Sequence, residues 1–188
     1  ESGDEKAASE VLARHTGNDG VITAADSYNR NGIKVATFNI MGLPVPNPFE
    51  TDLKTIDLNI RIKPAFMSSG LLYPYPGSDI AAYCDENGYM EAETNFLETN
   101  KKSSMLKFSS TKEKMMVENL QKLSGVIVDF PFLRKSAKFL SGLKFPRLYY
   151  FLFYLHAGFC HKVKLNSSNR IRLSEIPTFF VVFFRLLA

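Results

Sequence analysis

Apolar positions at three- and four-residue spacing open the chain: Ala8, Val11 and Leu12, then Val21, Ile22, Ala25 and Tyr28. This spacing predicts two helices within residues 4–31. Between them His15-Thr16-Gly17-Asn18 is a stop followed by a start, with Gly17 ending one helix and Asn18 capping the next. After Asn31-Gly32 the pattern changes. Ile33 to Met41 is β-branched and mostly apolar, which predicts a strand buried on both faces. Gly42 to Pro48 carries three prolines and reads as a loop. Leu53, Ile56, Leu58, Ile60 and Ile62 supply the apolar faces of a helix from Glu50 to Lys63, which Pro64 ends. Ala65 to Leu72 is a second apolar strand, finished by Tyr73-Pro74-Tyr75-Pro76-Gly77.

Alternation of helix and strand with short connections predicts parallel strands joined by helical crossovers. An α/β barrel or an open sheet follows, with a ligand site at the carboxyl ends of the strands. From Ser78 the pattern turns helical. Ser78 to Asn87 reads as a short helix ended by Gly88, and Asn95 to Ser110 as polar and irregular. Thr111 to Phe130 is a long helix with Met115, Met116, Leu120, Leu123 and Ile127 on one side. Pro131, Pro146 and Pro177 divide the remainder into further helical segments. The expected organisation is an α/β part over 1–80 and a mainly helical part over 81–188.

Composition narrows the class. Hydrophobic residues make up 45% and charged residues 22% of the 188, which excludes wholesale disorder. No apolar run reaches the roughly 18 residues of a membrane-spanning helix. Two cysteines, Cys84 and Cys160, make no disulfide framework and supply no four-cysteine metal site. These features read as a reduced, cytoplasmic, globular protein.

Charge changes the picture in one region. Between Asp129 and Glu175 there is no acidic residue, while Arg134, Lys135, Lys138, Lys144, Arg147, Lys162, Lys164, Arg170 and Arg172 are mixed with many aromatics. Such a stretch suits an anionic lipid surface, with peripheral membrane association, or nucleic acid. The alternative is a helical tail with solvated lysines and inward aromatics. No specific nucleic-acid motif accompanies it.

Glu1-Ser2-Gly3, Val11-Leu12-Ala13-Arg14 and the run Gly32-Ile33-Lys34-Val35-Ala36-Thr37-Phe38-Asn39-Ile40-Met41-Gly42-Leu43-Pro44 resemble the second half of a radical SAM barrel. Thr55-Ile56-Asp57-Leu58-Asn59, Lys63-Pro64 and Tyr73-Pro74-Tyr75-Pro76-Gly77 extend the likeness, as do Glu118 to Leu123 and Phe130 to Leu133. The combination is most similar to the cobalamin-binding-domain radical SAM group that includes magnesium-protoporphyrin monomethyl ester cyclase. The resemblance implies the C-terminal half of a (β/α) barrel followed by a helical tail. It also implies a parent enzyme that cleaves S-adenosylmethionine at a [4Fe–4S] cluster, with cobalamin, to start radical chemistry on a small-molecule substrate. The family's CxxxCxxC triplet does not occur in this chain. The chain is therefore expected to be an inactive fragment that binds none of these cofactors stably by itself. A non-catalytic interaction or peripheral membrane-binding module is the alternative. The family's Gly-Leu-Pro-Gly-Glu-Thr is replaced here by Gly42-Leu43-Pro44-Val45-Pro46-Asn47-Pro48-Phe49-Glu50-Thr51, which sets prolines and a valine where glycine would allow close backbone approach.

By resemblance, the cofactor-binding candidates are Glu1, Ser2, Arg14, Asn39, Gly42 and Tyr73. The Glu1 carboxylate suits ribose hydroxyls, and Arg14 suits a carboxylate. An exposed chain end and a solvated helix-end arginine are the plain alternatives. Asn39, polar within an apolar strand, needs either a ligand or a backbone partner. Tyr73 and Tyr75 line a site mouth or pack a turn. His156, Cys160 and His161 form H-x-x-x-C-H, in which 156 and 160 share a helix face and 161 turns away. Two converging ligands are too few, so no metal ligand is assigned. Asp79, Asp85, Glu86 and Glu91 read as surface charge.

Overall fold

The computed structural model describes residues 1–90 and 103–165. Helix α1 (Glu5–Glu10) starts where the Asp4 carboxylate accepts the Ala7 N–H. Helix α2 (Asn18–Arg30) begins at Asn18, so the expected cap is its first residue. The Asn18 N–H donates instead to the Glu5 carboxylate at 2.6 Å, and its side-chain amide donates to the Gly3 carbonyl at 2.9 Å. Strand β1 (Ala36–Met41), helix α3 (Pro48–Ile62) and strand β2 (Phe66–Leu71) form the expected crossover unit. Pro48 occupies the first turn of α3, where its missing N–H costs nothing. Lys63 ends that helix in a left-handed conformation, φ 53°, and donates to the Asn59 carbonyl.

The two strands are parallel and in register from Ala36 opposite Phe66 to Met41 opposite Leu71. Helix α4 (Asp79–Glu86) is capped by Ser78, and α5 (Thr111–Asp129) by Ser110. A 3₁₀ turn (Pro131–Ser136), α6 (Ala137–Ser141), α7 (Pro146–Phe159) and a π-helical turn (Cys160–Leu165) complete the described chain.

Helix α5 is the common wall, packing on α3, β2, α6 and α7. Met41, Ile56, Leu71, Val117, Leu120 and Ile127 are central to the main core, which therefore draws on both sides of residue 80. Polar side chains of α5 stitch it to its neighbours. Gln121 donates to the Ser69 carbonyl at 2.8 Å, and Asn119 donates to the carbonyls of Ser141 and Leu143 at 2.9 and 3.0 Å.

This architecture corrects the expected half-barrel. Among the described residues there is a small α/β fold with a two-stranded open parallel sheet. Asn39, Met41, Met67, Ser69 and Leu71 point to the covered face. The opposite face carries Phe38 at 70% exposure beside half-buried Ile40, Ser68 and Gly70. The strand expected to be buried on both faces is thus buried on one. Helix α5 packs beside α3 over the covered face, and among the described residues no third strand pairs with β1 or β2.

Candidate functional site

The sequence-predicted positions fall in three places. Glu1 and Arg14 meet one another: the guanidinium donates to the carboxylate at 2.7 and 3.2 Å. Ser2 is buried against α3, its hydroxyl 3.5 Å from that of Thr55. Asn39 is held by protein groups, donating to the Ser68 carbonyl at 3.2 Å and accepting from Asn59 at 3.0 Å. Tyr73 lies against Tyr75 with the rings tilted by 49° and their centres 4.7 Å apart, and both border a shallow groove of about 300 Å³ with Phe38 and Asn39. Glu1, Ser2, Arg14 and Gly42 do not line that groove.

Gly42 adopts φ +67°, where a side chain would be strained. Its N–H donates to both oxygens of Asp52 at 3.0 and 3.1 Å. Asp52 is fully buried, a role that sequence patterning had not distinguished from that of a surface helix carboxylate. Burial pushes its carboxyl well above the usual range, and the Gly42 hydrogen bond opposes that rise.

The basic stretch presents a different surface. Eight of the twelve large hydrophobics exposed among the described residues lie between Phe130 and Val163, so apolar exposure is concentrated there. Phe132 and Phe139 stand 74% and 69% exposed. Along α7, Leu148, Leu155 and Phe159 make one stripe at helical spacing, beside the face on which Tyr149 and Leu152 pack inward. Exposed Lys135, Lys138, Lys144 and Arg147 surround these residues in sequence. Arg134 instead forms a bidentate pair with Asp57 of α3, at 2.6 and 2.8 Å. Glu91, Arg170, Arg172, Pro177 and the apolar run Phe179–Leu187 lie outside the described residues.

Where the C-terminal ends of α5 and α7 meet, three chemically different ligand atoms converge. Asp129 ends α5, His156 lies in the last turn of α7, and Cys160 follows one turn later on the same face. His156 Nε2 is 2.7 Å from Asp129 Oδ2 and 3.5 Å from Cys160 Sγ, and Cys160 Sγ is 3.8 Å from that same oxygen. Lys164 Nζ donates to Asp129 Oδ2 at 2.5 Å. Burial raises the Asp129 carboxyl, but the hydrogen bonds and charges of Lys164 and His156 more than offset it and hold the group below its usual range. Burial pushes the Cys160 thiol up to about 11; Lys164 opposes this and Asp129 adds to it.

Asp129 and Cys160 both face the same ring nitrogen of His156. A relay in which a carboxylate orients one nitrogen while the other activates a thiol is therefore not the arrangement. His161, the third member of the sequence pattern, is exposed and sets its ring 4.6 Å from that of Phe66. Asp129 is the residue that sequence reasoning missed. It is 27 positions from His156, and only the parallel packing of α7 alongside α5, in which Lys122 meets Tyr150 and Asp129 meets His156, brings them together.

Comparison with protein-family models, with curated proteins and with solved structures finds no match. The radical SAM reading is corrected on the geometry. Cys84 sits buried with Leu43, Leu72 and Leu106, in a core cluster that does not include Cys160. Among the described residues, the group able to converge on a metal contains a single thiol. A [4Fe–4S] cluster needs several thiolates, so neither that cluster with its S-adenosylmethionine nor a cobalamin enzyme is the architecture of these residues.

Proposed function

We propose that the chain is a peripheral membrane-binding module whose residues 130–163 dock on an anionic lipid surface. The observation that carries this reading is the concentration of exposed Phe and Leu side chains in a segment without a single carboxylate. Charge complementarity selects the occupant. Each lysine or arginine near an anionic leaflet contributes about 1 kcal/mol, so Lys135, Lys138, Lys144 and Arg147 acting together give measurable attachment. Aromatic side chains such as Phe132 and Phe139 add apolar burial at the headgroup boundary. Helix α7, with 14 residues, reaches about 21 Å, short of the roughly 30 Å hydrocarbon core. Among the described residues no helix is long and apolar enough to cross a membrane, and lying in the interface needs neither property.

Co-sedimentation with neutral and anionic vesicles at low and high salt tests the reading. Binding to anionic vesicles that weakens with salt supports it. Equal, negligible sedimentation in all four conditions overturns it and leaves these residues to packing.

A further inference from the structure

We propose that Asp129, His156 and Cys160 form a binding site for a divalent transition-metal cation of the zinc class. This inference is independent of the lipid reading. All three ligand atoms lie within 4.8 Å of one another. Tetrahedral zinc, with Zn–N and Zn–O of about 2.0–2.2 Å and Zn–S of about 2.3 Å, sets its ligand atoms roughly 3.3–3.7 Å apart. The sulfur lies 3.5 Å from the imidazole nitrogen and 3.8 Å from the carboxylate oxygen, already close to that spacing. Only the 2.7 Å separation between His156 Nε2 and Asp129 Oδ2 must open, by about 0.6 Å.

The donor set chooses the metal. A thiolate with an imidazole favours zinc and its neighbours over magnesium or calcium, which require oxygen. On binding, Cys160 loses its thiol proton to solvent, and Lys164 Nζ leaves the Asp129 oxygen. No electron changes hands. Thiolate, carboxylate and neutral imidazole together balance a 2+ ion, a favourable outcome at a site whose cysteine is fully buried. The imidazole is seated by a residue that is not itself a ligand. A Cβ on Gly125 would come within 2.7 Å of His156 Cε1 and 2.8 Å of Nδ1, so the bare glycine of α5 is the seat of the imidazole ring.

The test is Co(II) titration of the whole metal-free protein, followed by thiolate-to-cobalt charge-transfer absorption and by equilibrium dialysis. We expect one equivalent bound, absorption that Zn(II) abolishes by displacement, an unchanged signal in Cys84→Ser, and complete loss of it in Cys160→Ser. Gly125→Ala, which displaces the ring without removing a ligand, should weaken binding about 10–100-fold, as lost orientation of a ligand does. Alkylation of the unmodified protein gives a readout that needs no variant: Zn(II) should protect Cys160 while leaving the rate at Cys84 unchanged. Absence of charge-transfer absorption in the unmodified protein overturns the site. So does absorption that survives Cys160→Ser, or alkylation of Cys160 that Zn(II) does not slow.

Discussion

In residues 1–90 the buried polar groups answer one another across the sheet and α3: Thr37 donates to Asn59, Asn59 to Asn39, and Gly42 to Asp52. In residues 103–165 the polar groups of α5 tie down β2 on one side and α6 with the turn after it on the other, while the segment beyond α5 leaves large aromatics in solvent. The first region turns its buried polar groups inward, toward one another and toward α5. The second region uses one helix for cohesion and turns the rest outward. The contrast teaches that apolar content alone does not locate a core. Phe38 and Phe132 are both exposed, but Phe38 shares its groove with one other exposed large hydrophobic, Tyr75, whereas Phe132 belongs to a segment rich in exposed aromatics and cations. Isolated exposed hydrophobics are ordinary; a concentration of them marks an interaction surface.

The strongest way to break this contrast is through α5, which both regions share. Leu120 is fully buried at the centre of that helix. Leu120→Ala should cost about 2–5 kcal/mol in denaturant unfolding, with both regions lost in one transition. If the α/β region unfolded separately, the shared-wall account would fail.

The outward-facing character of the second region predicts a large effect on binding with little on folding. Lys135→Ala with Lys138→Ala should weaken attachment to anionic vesicles by about 2 kcal/mol, roughly thirtyfold. Folding stability should stay within about 0.5 kcal/mol, because both side chains are exposed. Vesicle partitioning and denaturant unfolding of the same protein measure the two effects.

The inward-facing character of the first region should show in pH dependence. Burial raises the Asp52 carboxyl in the folded protein, so between its unfolded and folded values the folded state binds more protons. Stability contributed at this site therefore falls as pH rises through that window. Asp52→Asn should remove that slope, as seen by comparing unfolding curves at several acidic and neutral pH values. A slope identical to that of the unmodified protein would show that Asp52 is not its source.

The smallest expected effect is at the join. Arg134 and Asp57 are paired bidentately but partly exposed, with side chains 29% and 49% accessible. Arg134→Ala should cost about 0.2–1 kcal/mol, and less as salt rises.

Local patterning along the chain already located most of the elements. Apolar periodicity placed α2, α3 and α5, prolines and Gly88 marked several boundaries, and the alternation of helix and strand implied parallel pairing. These features depend on neighbours within a few residues, where side-chain spacing and backbone restriction act directly. Burial of β1 was misjudged because a run of apolar residues does not state whether a second layer will cover them. The barrel expectation failed for the same reason: two crossover strands do not specify what closes the sheet.

At the candidate site, sequence spacing alone put His156 and Cys160 on one helix face. Asp129 and the Gly125 seat joined them only when α7 packed alongside α5, whereas Lys164 follows Cys160 at the same four-residue spacing. Asp52 likewise looked like any helix carboxylate until folding placed it under the Gly42 turn. Contacts between residues close in the chain follow from local stereochemistry. Convergence of distant side chains depends on which faces bury together, and that choice is made by the whole core at once.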